Sequence, residues 1–123
     1  MSRLINWFEI PAADFERAVG FYETVFAVTL KRETFGGGCQ MGIFPYADPA
    51  TGGAVCCMEN YTPGANGVII YLDGGDDLTL PLSRVEPAGG KVLVPKTLIT
   101  AEIGYFALFQ DSEGNRIGLH SLN

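Results

Sequence analysis

The chain has 123 residues, 47% of them hydrophobic and 18% charged, long enough to bury a core and too apolar for disorder. Eight basic against fourteen acidic side chains leave a net charge of −6. Lys31, Arg32, Lys91 and Lys96 form no dense basic patch, so nucleic-acid binding is not expected, and no apolar run is long enough to span a bilayer.

The opening Met1-Ser2-Arg3-Leu4-Ile5-Asn6-Trp7 has neither the apolar core nor the small-residue cleavage site of a secretory signal. A cytoplasmic location is therefore expected. Residues 4–10 then read as a first strand, with Ile5, Trp7 and Glu9 on one face and Asn6, Phe8 and Ile10 on the other. Pro11 ends its ladder because it has no N–H to donate. Asp14 is placed to cap a helix over residues 15–26, where Phe15, Ala18, Val19, Tyr22, Val25 and Phe26 make one apolar stripe. Residues 28–35 and 39–46 read as strands joined across Gly36-Gly37-Gly38. A turn at residues 48–53 leads to a fourth strand over 54–59.

Residues 61–66, with Pro63 and Gly64, read as a linker between a first unit at 1–60 and a second at 67–123. The second unit begins with a strand over 68–72. Asp76 or Asp77 caps a shorter helix with Leu78, Leu82 and Val85 on one face, and Pro81 is tolerable in its first turn. Gly89-Gly90 supplies a left-handed exit. Strands follow over 91–94, 104–110 and 115–121, the last two joined by Asp111-Ser112-Glu113-Gly114. The order is βαβββ twice over, and a repeat of this length predicts two matched units with a groove between them. Cys39, Cys56 and Cys57 lack the spacing of a zinc knuckle or redox pair, and reduced thiols are expected.

The opening NWFEIPAADFERAVGFYETVFAV, the Gly-Gly after the second helix, and FQDSEGNRIGLHS near the end resemble the vicinal oxygen chelate superfamily. That superfamily includes glyoxalase I, extradiol dioxygenases and the bleomycin-resistance proteins. The resemblance covers nearly the whole chain. It implies one α+β domain of two βαβββ modules forming cupped mixed sheets, with helices outside, a cleft inside and a homodimer. Ala27 departs from the family's usual glycine after the first helix; in a left-handed conformation it would cost on the order of 1 kcal/mol.

Metal-dependent members supply His, Glu or Gln ligands from the first and last strand of each module. The resemblance puts Trp7, Cys57 (or Cys56, one residue earlier), Val68 and Gly118 at those four positions. Trp, Val and Gly side chains cannot ligate a metal, so no metal or other cofactor is expected. Glu9, Cys57 and His120 make a conceivable displaced trio, but one thiol and one carboxylate suit a hard ion poorly. Milder readings are a hydrogen-bonded Glu9, a Cys57 that acts as a small buried hydrophobe, and a His120 near solvent.

Without a metal the inner faces would be lined by Ile5, Trp7, Glu9, Val68, Ile70, Leu72, Tyr105, Ala107 and His120, a mainly apolar surface suited to a small molecule. Trp7 offers a stacking face and Glu9 a negative charge, which together suit a flat or cationic ligand. Trp7 would equally serve as a plug for the cavity. Three functions remain open at this stage: a metal-free binding protein like the bleomycin-resistance proteins; a glyoxalase-like lyase or isomerase using displaced ligands or Glu9 and His120 as acid and base; and a dimeric interaction module whose cleft is filled.

Overall fold

The computed structural model describes residues 4–123; Met1, Ser2 and Arg3, the head of the stretch read above for a leader, lie outside the described residues. The first half contains β1 (Trp7–Pro11), α1 (Phe15–Phe26), β2 (Lys31–Phe35), β3 (Cys39–Ile43) and β4 (Gly52–Cys57). The second contains β5 (Tyr71–Asp73), α2 (Thr79–Val85), β6 (Lys91–Thr100), β7 (Gly104–Gln110) and β8 (Arg116–Ser121). The sheets run β1-β4-β3-β2 and β5-β8-β7-β6. In each, the first strand pairs parallel to the last and the other neighbours are antiparallel. The fold is α+β, two βαβββ units with mixed sheets. Among the described residues no helix is long and apolar enough to cross a membrane.

Helix α1 starts where its sequence provides a cap. Asp14 has extended backbone and its carboxylate accepts the Arg17 N–H at 3.1 Å. The buried stripe is wider than the sequence pattern suggests, because Phe21 is buried too. Its ring lies 5.9 Å from that of Phe109 on β7, so this one helix packs against both halves. The helix ends at Ala27, which is left-handed at φ 54 and ψ 46 and donates its N–H to the Glu23 carbonyl. Alanine is strained there and glycine is not. Ala27→Gly should therefore stabilise the protein by about 0.5–1 kcal/mol, read as a higher urea midpoint with an unchanged slope.

In α2 the N-cap position falls on Leu78 and carries no side-chain cap, so neither Asp76 nor Asp77 holds it; Asp77, one residue earlier, accepts the Thr79 N–H at 2.9 Å and the Lys96 Nζ at 3.3 Å. Strand β6 runs past Pro95 to Thr100, well beyond the four residues that its sequence suggests. It can do so because it is an edge strand. The missing proline N–H falls in a stretch of irregular pairing with β7 between Val94 and Thr97.

One core serves both halves. Ile10 and Val55 from the first sheet, Ala107, Phe109, Ile117 and Leu119 from the second, and the buried residues of α1 and α2 belong to a single cluster. Both helices thus lie on the same side of the two sheets, and the other side is free of helices.

The halves are also joined by a buried polar latch. The Tyr22 hydroxyl donates to Asp111 Oδ2 at 2.6 Å, and Asn115 Nδ2 donates both to that oxygen at 3.0 Å and to the Pro11 carbonyl at 2.7 Å. Asp111 Oδ1 accepts the backbone N–H groups of Glu113 and Asn115, each at 2.9 Å. Burial, reinforced by the adjacent Asp111 charge, pushes the Tyr22 phenol well above its ordinary value, so it remains a donor. Tyr22→Phe should cost about 1–2 kcal/mol in chemical denaturation, the magnitude for a buried bond to a charged acceptor.

Glu113 tightens the same joint. Its carboxylate accepts from the backbone N–H groups of Ala13 and Asp14 at 2.9 and 2.8 Å, and from Arg17 Nε at 2.7 Å. Burial opposes its ionisation, yet Arg17 and the surrounding N–H and O–H donors outweigh it and hold the carboxyl at about 2. The folded value lies below the unfolded one, so this stabilisation is complete above pH 4.5 and is lost as pH falls toward about 2. Arg17→Met should flatten this acid limb of the stability curve, measured by denaturation at successive pH values between 5 and 2.

Candidate functional site

Side chains alternate across a strand, so the helix-free face follows from the residues buried against the helices. On β1, Ile10 belongs to the core, which leaves Trp7 and Glu9 on the helix-free face. On β4, Val55 belongs to the core, which leaves Ala54 and Cys56 beside Glu9. On β8, Ile117 and Leu119 belong to the core, which leaves Arg116, Gly118 and His120 on the other side.

Glu9 is the polar centre of the first sheet. Its Oε1 accepts from the Tyr61 hydroxyl at 2.8 Å and its Oε2 from Trp7 Nε1 at 3.2 Å. The Tyr61 phenol is raised chiefly by this hydrogen bond, with the Glu9 charge adding to it. Cys56 is fully buried, and burial first, then the Glu9 charge, push its thiol up to about 12. A thiol so protonated is a poor nucleophile and a poor metal ligand at neutral pH. Trp7 is flanked by Tyr46, their rings meeting edge to face with centroids 5.9 Å apart. The result is a carboxylate held by Trp7 and Tyr61, with Tyr46 packed against Trp7.

Two glycines on this face lie beneath rings. A Cβ on Gly118 would fall 2.4 Å from the Tyr71 ring, and one on Gly52 would fall 2.7 Å from the Tyr46 ring. Tyr71 therefore occupies the space that a side chain at position 118 would need.

The structure moves several sequence-derived positions. Cys57 lies on the opposite face from Glu9, its Sγ 3.8 Å from the Ala13 carbonyl, and Cys56 takes the place expected of it. Val68 is 91% exposed and precedes β5, whose register begins with Tyr71 opposite Gly118. Ile70, Leu72, Tyr105 and Ala107 pack toward the helices. The helix-free residues of β5 and β7 are instead Tyr71, Asp73, Phe106 and Leu108, each paired with Gly118 or His120 of β8. Ile5 is exposed ahead of β1. Tyr61 and Tyr46 are not among the expected site residues: Tyr61 lies in the linker, and Tyr46, expected at the end of a strand over 39–46, lies in a loop beyond β3.

His120 stands apart from Glu9. Its Nε2 donates to the Ile103 carbonyl at 2.6 Å, and it lines an open apolar hollow of about 380 Å³ with Tyr71, Ile99 and Phe106. Glu9 lines a different pocket of about 220 Å³, at the seam between β1, β8 and the linker. Among the described residues, no group of three or more His, Cys, Asp or Glu side chains is placed to hold a metal.

Residues 4–119 match the profile of the Glyoxalase/Bleomycin resistance protein/Dioxygenase superfamily, and the chain belongs to that superfamily. Its fold is shared with a glyoxalase I variant from Zea mays, with a TM-score of 0.72 at 20% identity over 93% of this chain and 45% of the maize chain. The chain thus spans under half the length of that enzyme. It is also similar to a glyoxalase/bleomycin resistance protein from Streptomyces sp. CB03234, with a TM-score of 0.69 at 24% identity over 96% and 100% of the two chains. TnmS3, an antibiotic binding protein from the same organism, gives 0.68 at 24% identity over 98% and 97%. No curated protein sequence matches significantly.

Proposed function

We propose that this chain is a cytoplasmic, metal-free binding protein that holds a small organic molecule, flat or cationic, on the helix-free face around Trp7 and Glu9. The observation that carries this reading is the Glu9 carboxylate, fixed by Trp7 and Tyr61 and bordered by aromatic rings. A fixed anion beside aromatic faces favours a cation with an apolar body. The likeness to an antibiotic binding protein supports a sequestering role.

The residues present do not fit the family's metal. The helix-free positions of the four strands offer Trp7 and Glu9, Ala54 and Cys56, Tyr71 and Asp73, Gly118 and His120. Cys56 keeps its proton and His120, bonded to Ile103, lines a separate pocket, which leaves Glu9 without a second ligand beside it. An acid–base pair of Glu9 and His120 is disfavoured within one chain because the two line separate pockets. The two halves, 1–60 and 67–123, act in this reading as one domain. The exposed apolar side chains Tyr71 and Ile99 on the second sheet suit a homodimer.

The test is a thermal-shift screen with aromatic amines and planar organic cations, followed by titration calorimetry. Glu9→Gln should weaken binding of any hit by about tenfold, as expected for the loss of a charge-assisted contact, while leaving the melting temperature within a few degrees. Unchanged binding would remove Glu9 from the site. Stoichiometric Ni²⁺, Zn²⁺, Mn²⁺ or Fe²⁺ in protein purified without chelator would overturn the metal-free reading.

A further inference from the structure

The pocket that Glu9 lines carries a second charge of opposite sign. Its wall runs from Glu9 and Pro11 on β1, past the linker residues 64–70, to Asn115 and Arg116 at the start of β8. Arg17, Arg32 and Arg84 each have a partner: Glu113, Glu16 and the Val25 carbonyl respectively. Arg116 makes no ion pair or side-chain hydrogen bond among the described residues. It lines the same pocket as Glu9 and lies beyond ion-pair distance of it.

The rest of the wall is built to receive an anion at the Arg116 end. Asn115 is fixed there by bonds to Pro11, Asp111 and the Gly64 N–H. Beyond Gly64, the N–H groups of residues 65–69 make no hydrogen bond within the described protein. A guanidinium with free backbone donors close by is the usual receptor for a carboxylate. The volume of about 220 Å³ limits the occupant to the scale of a single amino acid.

We propose that the seam pocket binds a small zwitterion, its ammonium directed to Glu9 and its carboxylate to Arg116. This rests on the cleft reading above and narrows it from a cationic ligand to one carrying both charges. Trp7 and Tyr61 border Glu9 outside this pocket, where an apolar substituent extending from it would meet them.

Three matched probes separate the terms: phenylalanine, phenethylamine, which lacks the carboxylate, and 3-phenylpropionate, which lacks the ammonium. Calorimetry on the native chain should show phenylalanine binding at least about tenfold tighter than either single-charge probe, as one added charge-assisted contact predicts. Arg116→Gln should abolish the preference for phenylalanine over phenethylamine. Arg116→Lys should restore part of it, with circular dichroism confirming that both variants fold. If phenethylamine binds the native chain as tightly as phenylalanine, the zwitterion assignment fails while the cationic cleft survives. A preference that persists in Arg116→Gln also overturns it. If none of the three probes binds, the zwitterion assignment falls, and the thermal-shift screen decides the cationic cleft separately.

Discussion

The carboxylate of Asp111 is the contact on which the arrangement of the two halves depends. It is buried at the turn between β7 and β8, and it takes its donors from that turn and from Tyr22 on α1. A buried charge is tolerated only when its lone pairs are occupied, so this turn can sit in one place against the helix. Asn115 extends the same network to Pro11 at the end of β1. The strand that carries Glu9 and the strand that carries Arg116 are therefore held by a single polar joint, with Glu113 and Arg17 closing its outer side. The seam pocket lies beside that joint and inherits its rigidity.

The helix-free surface has a packing pattern of its own. Where the resemblance would put ligands, rings and small residues are packed together. Tyr71 covers Gly118, Tyr46 covers Gly52, and Trp7 bonds to Glu9. A glycine under a ring is a paired choice: any side chain at position 118 would have to displace Tyr71. Glu9 and Arg116 lie at the seam, away from the hollow that His120 borders.

Much of the first half could be read in the chain. Asp14, Pro11 and the spacing from Phe15 to Val25 carry strong local signals, and α1 occupies the predicted residues. The placing of Trp7 and Glu9 together followed from alternation with Ile10, a residue apolar enough to mark the core side. In the second half the same logic misplaced Ile70, Leu72, Tyr105 and Ala107. Tyr71, Phe106 and Leu108 on the alternate positions are equally apolar, so hydrophobicity did not distinguish the faces. Strand β5 is also only three residues long, too short for a period to establish itself.

The chain by itself determined the duplicated βαβββ order, the Asp14 cap and the residue types at Trp7 and Gly118. These are properties of residue type and of near neighbours in sequence. Only the tertiary structure decided that Cys56 rather than Cys57 stands beside Glu9, that Tyr61 and Tyr46 complete the aromatic border, and that Arg116 shares a pocket with Glu9. Each of these depends on strand register or on a loop folding back across the sheet. A one-residue change in register exchanges the faces of a strand without altering its composition.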